Sequence, residues 1–374
     1  MKKELKKLLF AGVSILTLAT SCETEDHSDE AIQNTQSSNL KVNNDLLIKS
    51  YSKEKLSIIE TKMVNDFPDF ESLVEESACS GTAFNVAANE TFNEGYDVYA
   101  QLYYSTYAAI NQYSTYLDNG PQYFGEDGEY TNLVKNRQRS LEKFWDMGNE
   151  VVVNGQHNAT LGDPEKIAAV YRFLGYPAEI AAANAQAFLQ INDLSTFLIE
   201  NPLLSFDGFA TILTYTDGST KDLIVIGDGI VEVAVKAGVD DKVVWSGILS
   251  HEWAHQIQFN NFDEWYPEGA ADNAPEATRY TELEADFFTG YYLTHKRGAT
   301  YNWKSAQEFF ELFFNIGDCS FTNSGHHGTP LQRMRAAEAG YELAKSAQKN
   351  GHILSQEEVH EIFVSTIDSI ISGK

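Results

Sequence analysis

The segment Ser250-His-Glu-Trp-Ala-His-Gln-Ile-Gln258 constrains the fold of this chain more than any other. Asp240 and Asp241 are good helix N-caps, and the pattern that follows predicts one helix running through Gln258. Residues four apart on a helix lie about 40° from one another around its axis, so His251 and His255 share a face. Val243, Val244, Ile248, Leu249 and Trp253 make the same helix apolar on most sides. A helix that is apolar nearly all round is buried, and burying two His and a Glu is costly unless each has a partner. The fold must therefore bring polar partners to this helix inside the protein. The alternative, a surface helix carrying two solvated His, fits the apolar flanks poorly.

The two imidazoles can occupy adjacent corners of a tetrahedron around one ion. Glu252, next to the first of them, stands where a general base for an attacking water is needed. Imidazole and carboxylate ligands suit Zn2+. A third ligand is then required, and Thr281-Glu-Leu-Glu-Ala-Asp286 supplies one on the next expected helix, about Ala274 to Lys296, which ends before Gly298. Glu282 and Asp286 are again four apart. Glu282 can reach the ion while Asp286 orients a ligating His through its other ring nitrogen. Glu284 points elsewhere on that helix and is expected to face solvent. Phe287, Phe288, Tyr291 and Tyr292 predict that this helix is substantially buried. Gln258 stands where a three-His metzincin site has Gly, which excludes that pattern.

Along the rest of the chain the periodicity predicts helices from Leu46, from Gly95 to Leu117, over Thr131 to Val153 and over the Ala-rich Asp163 to Leu189. Phe209 to Tyr215 and Lys221 to Ile226 are β-prone runs around an Asp-Gly turn, a β-hairpin pattern, and Gly227-Asp-Gly229 is expected to break the chain after it. Further helices are expected over about Ser305 to Asn315, from Pro330 to Gly351, and from the capping box Ser355-Gln-Glu-Glu358 to near Ser369. The fold class is α+β and predominantly helical, with a small hairpin or sheet. Residues 46–204 form a helical N-terminal region and residues 205–374 the core that carries the metal-binding pattern.

Three segments in order, His251-Glu-x-x-His255, Glu282-Leu-Glu-Ala-Asp286 and His327-Gly-Thr-Pro-Leu-Gln-Arg333, together resemble the bacterial neutral zinc metallopeptidase family within the gluzincins. They are more distantly similar to the membrane heat-shock and CAAX prenyl proteases. Gln258 and Gly290 also fit the bacterial family, and the resemblance covers about residues 240 to 345. It implies a zincin-like catalytic core, peptide or protein substrates, His251, His255 and Glu282 as zinc ligands, Glu252 as base and proton shuttle, and Asp286 as the partner of a ligand. It further implies that His327 lies near the metal as an oxyanion donor, a packing role being the alternative, and that Arg333 is a structural ion-pair partner. Pro330 departs from the small polar residue common in that family, and His326 is a near neighbour of His327.

The N-terminus reads as an export signal over residues 1–21: a basic Met1 to Lys7, an apolar Leu8 to Ala19, then Ala19-Thr-Ser-Cys22. A small residue before Cys resembles the lipobox of bacterial lipoproteins, which would make Cys22 a lipid-anchored first residue at the outer membrane or cell surface; the alternative is an ordinary cleaved signal peptide. The acidic run Glu23 to Glu30 resembles the surface-export signal of Bacteroidota lipoproteins, and residues 22–45 are a polar, flexible tether. Cys79 and Cys319 are compatible with one disulfide or with two buried thiols. The net charge of -27 repels phosphate backbones, so nucleic acid is excluded as a partner class. Two readings of function follow. One is an exported zinc metallopeptidase. The other is a surface binding lipoprotein in which Tyr96, Tyr99, Tyr103, Tyr104 and Tyr107 stack on a ligand and the metal site is structural or vestigial.

Overall fold

A computed structural model of the chain describes residues 83–215, 219–265, 274–302, 304, 305, 308, 328–350 and 352–373. The expected signal and tether with Cys22, the helix expected from Leu46, Cys79, Cys319, His326, His327, most of the helix expected over Ser305 to Asn315, and the turn residues Thr216, Asp217 and Gly218 lie outside them. The described residues are mostly helical with one three-stranded mixed sheet, an α+β arrangement dominated by helix.

Helices α1 (Ala83–Asn93) and α2 (Val98–Leu117) open the described chain. Asp97 caps α2, its carboxylate accepting from the Ala100 N–H at 2.8 Å. The tyrosines of α2 build core. Tyr104 donates to the Leu203 carbonyl at 3.0 Å, and Tyr107 donates to the Phe188 carbonyl at 3.0 Å while stacking on the Phe188 ring. Helix α3 (Thr131–Phe144) is shorter than the expected Thr131 to Val153. The chain leaves it through Asp146 at φ 51°, and the β-branched run beyond forms strand β1 (Val151–Gln156). The expected single helix over Asp163 to Leu189 is two, α4 (Pro164–Phe173) and α5 (Ala178–Asn192), interrupted by Gly175-Tyr-Pro177 with Gly175 at φ 96°.

The hairpin forms as read, with β2 (Gly208–Thr214) antiparallel to β3 (Thr220–Gly227). Strand β3 is central, because β1 pairs with its other side in parallel, giving the order β1-β3-β2. Leu223, Val225, Ile224 and Ile226 of β3 are fully buried. A strand from the N-terminal segment thus joins the sheet on which the helix of His251 and His255 rests. Gly227-Asp-Gly229 marks the change from strand to helix: β3 ends at Gly227 and α6 (Asp228–Lys236) begins at once. Glycine is needed there for close approach, since a Cβ on Gly229 would collide with the Pro202 carbonyl.

Helix α7 (Asp241–Asn260) starts on Asp240, whose side chain accepts from the Lys242 and Val243 N–H groups. Its buried Gln256 donates to the Thr211 carbonyl at 3.2 Å and the Leu223 carbonyl at 3.0 Å, which ties α7 to β2 and β3. Helices α8 (Ala274–Thr294), α9 (Pro330–Asn350) and α10 (Gln356–Ser372) complete the fold, the last with the capping box that its sequence predicts. Gly290 of α8 and Gly340 of α9 let these two helices cross in near backbone contact, because a Cβ on either would strike the other helix's carbonyls. Among the described residues no helix is long and apolar enough to cross a membrane.

Candidate metal centre

Helix α7 is buried from Val243 to Ala254 without a break, so its polar residues face protein and not water. His251 and His255 project from it toward Glu282 of α8. His251 Nε2 lies 3.1 Å from Glu282 Oε2 and 3.2 Å from His255 Nε2, and His255 Nε2 lies 3.4 Å from Glu282 Oε1. These three residues can hold a metal ion. Around a tetrahedral ion with bonds of about 2.0–2.1 Å, neighbouring ligand atoms stand about 3.3 Å apart. The two imidazole nitrogens stand close to that separation, and the two oxygens of Glu282 each lie near one of them.

The hydrogen bonds around the triangle show why it suits a cation. Gln258 donates through Nε2 to the Thr281 carbonyl at 2.9 Å and to Glu284 Oε2 at 2.8 Å. Its Oε1 is therefore the atom that faces His255 Nδ1, at 2.8 Å, and accepts that proton. On the other imidazole, Nδ1 of His251 lies 3.0 Å from Asp286 Oδ1. With both protons on Nδ1, both Nε2 atoms are acceptors, and they converge with a carboxylate. Three converging acceptors repel one another unless a metal ion, or a second proton on His251, joins them. Asp286 is itself held by Arg333 of α9, whose Nε and Nη2 each donate to it at 2.7 Å, and Arg333 Nη2 is 3.6 Å from Glu282. That is the bidentate geometry in which guanidinium and carboxylate match best.

Charge points the same way. With neutral imidazoles, Glu252, Glu282 and Asp286 set three carboxylates against the one guanidinium of Arg333, in a site where each of these side chains is buried. A dication would neutralise the surplus. Burial disfavours a charged His251, and the carboxylates Asp286 and Glu282 more than offset it, so its pKa is pushed up to about 9. Glu252 is shifted upward by burial, opposed by the neighbouring His251 and His255. It sits beside the start of β2: a Cβ on Gly208 would come within 3.8 Å of Glu252 Oε1.

The structure thus brings together His251, His255, Glu282 and Asp286 as their spacing predicts, and sets Arg333 on Asp286 as the ion-pair partner that the resemblance implies. Glu284 is a correction. Expected in solvent, it is fully buried, accepting from Gln258 and lying 2.6 Å from His360 Nδ1 of α10. Rotating two positions along α8 turns a side chain away from the metal ligands, and what lies on that side is another helix. His360, which the sequence reading passed over, was detectable: it is the one ionisable residue within the apolar stripe Val359, Phe363, Ile367, Ile370 of α10. Of the tyrosines weighed for ligand stacking, Tyr104 and Tyr107 are core residues, while Tyr99 and Tyr103 are half-buried and Tyr96 is exposed. In comparisons with known protein families, curated proteins and solved structures, the chain matched none.

Proposed function

We propose that this chain is a zinc-dependent metalloendopeptidase, exported as a lipoprotein anchored through Cys22, with a zincin-like core formed by α7, α8 and the β1-β3-β2 sheet. The observation that carries the reading is a group of two imidazoles and a carboxylate that could hold a metal ion, with a buried carboxylate, Glu252, on the same helix one residue from His251. A structural metal site has no use for that extra base. The donor set of two His and one Glu favours zinc, and its spacing leaves one corner of a tetrahedron for water or substrate. The motif resemblance to bacterial neutral zinc metallopeptidases supports the same reading.

Zinc held by His251, His255 and Glu282 would supply a Lewis acid that acidifies a water and polarises the scissile carbonyl. The chain's own residues do the rest. Glu252, whose proton affinity burial raises, takes the proton of the attacking water and returns it to the leaving amine. Asp286, braced by Arg333, keeps His251 turned toward the metal. Among the described residues β2 is the outer strand of the sheet on the side of Glu252, so an extended peptide could pair with it and lie across the site.

The test is cleavage of casein by the purified protein, chelated and then zinc-restored, compared with Glu252→Gln. The expected result is chelator-sensitive cleavage, and a Glu252→Gln protein that keeps its metal while losing roughly two orders of magnitude or more in activity. Cleavage unchanged in that variant would remove Glu252 from the mechanism. Stoichiometric metal without cleavage by either protein would favour the binding-lipoprotein reading instead.

A further inference from the structure

Resting on the reading of His251, His255 and Glu282 as a metal centre, we infer that Gln258, Glu284 and His360 are positioning residues that fix metal ligand His255 from the C-terminal helix. The two imidazole ligands are braced separately. His251 leans on Asp286 and, through it, on Arg333 of α9. His255 leans on a different chain of contacts: its Nδ1–H donates to Gln258 Oε1 at 2.8 Å, Gln258 Nε2 donates to Glu284 Oε2 at 2.8 Å, and Glu284 Oε1 meets His360 Nδ1 at 2.6 Å. The far end is anchored as well. The His360 ring stacks on Trp265 with centroids 4.1 Å apart and planes 4° from parallel, and Trp265 Nε1 donates to Glu357, also on α10.

Each link has a reason in direction. A side-chain amide can face an imidazole with either end, and only the oxygen holds the proton on Nδ1 and leaves Nε2 as the metal-facing acceptor. Glu284 decides this. A buried carboxylate accepts hydrogen bonds only, so the Gln258 end it contacts must be the NH2 group, and the Thr281 carbonyl at 2.9 Å selects the same end. His360 in turn holds the second oxygen of Glu284 and keeps that carboxylate aimed at Gln258. Glu284 and His360 are both buried, which keeps water from replacing either contact. Helix α10 supplies none of the three metal-ligating residues, yet by this route it sets the tautomer and orientation of one of them.

The test measures Zn2+ affinity by chelator competition, and the visible spectrum of the Co2+-loaded protein, for the wild type, Gln258→Leu, His360→Phe and the double variant. His360→Phe keeps a ring on Trp265 and removes the contact to Glu284, so packing alone would leave the metal untouched. Ser355→Ala serves as the control: it removes the cap of α10 and weakens that helix without touching the relay. The expected result is Zn2+ binding weakened roughly 10–100-fold by Gln258→Leu and by a smaller factor in the same direction by His360→Phe. The double variant should be little weaker than Gln258→Leu alone, since the links act in series. The Co2+ spectrum should change in both single variants, and Ser355→Ala should lower the thermal midpoint with metal affinity intact. Wild-type affinity and spectrum in both Gln258→Leu and His360→Phe would overturn this inference and leave the metal centre standing. A wild type that binds no zinc would overturn both.

Discussion

Glu282 and Glu284 differ by two positions, about 200° around a helix axis, and that rotation gives them opposite duties. Glu282 faces the imidazoles of α7, while Glu284 faces Gln258 and the C-terminal helix. The sequence carries the first duty plainly, because the spacing of His251, His255, Glu282 and Asp286 allows few other arrangements. It does not carry the second, because a pattern of apolar residues shows that a helix is buried without showing which polar positions meet another helix. Asp207, at the start of β2, is a further case. Burial pushes its acid up to about 7, against the pull of the Gln156 Nε2–H that it accepts at 2.5 Å. The folded state therefore keeps a proton that the unfolded chain gives up near pH 4. The resulting stability is present below that pH and is lost as pH rises toward 7. Comparing urea denaturation of the wild type with Asp207→Asn cancels the titration common to both. The variant should match the wild type near pH 4 and exceed it near pH 7 by on the order of 1–3 kcal/mol, the side chain keeping some solvent contact. A difference that does not change with pH would show that Asp207 is ionised in the fold.

Among the elements, those with strong local signals stand where they were read: α7 behind its Asp240 cap, α10 behind its capping box, and the β2–β3 hairpin. Strand β1 was read as helix because Val151, Val152 and Val153 follow a genuine helix, and only pairing with β3 decides their state. Gly227 and Gly229 end the strand as their sequence predicts, and their lack of a side chain also serves contact with the Pro202–Ser205 turn. The glycine crossing of α8 and α9 is the element-scale feature closest to the site. It brings Arg333 onto Asp286, so forcing the helices apart should affect the metal as well as the fold. Gly290→Ala places a methyl group against the Ala337 carbonyl. It should cost about 1–3 kcal/mol in urea denaturation and weaken Zn2+ binding in the same protein. Stability within about 0.5 kcal/mol of the wild type would mean that the helices can slide at no cost.

For the molecule as a whole, the candidate centre joins four helices from the C-terminal part of the chain. The proposed ligands come from α7 and α8, the proposed braces from α9 and α10, and the sheet fixes α7 through Gln256. A metal bound only by the folded chain stabilises it by mass action, about 2.7 kcal/mol at a hundredfold excess over Kd. Chelation should therefore lower the thermal midpoint by several degrees, and restoring Zn2+ should recover it; a midpoint indifferent to chelator would show that the four helices hold together without the ion. The central claim is that three named side chains meet at one metal, and anomalous diffraction at the zinc edge from crystals of the metal-loaded protein tests it most directly. The expected result is one strong peak within about 2.0–2.2 Å of His251 Nε2, His255 Nε2 and an oxygen of Glu282. A metal peak elsewhere in the molecule, with these side chains hydrogen-bonded to one another alone, would contradict it.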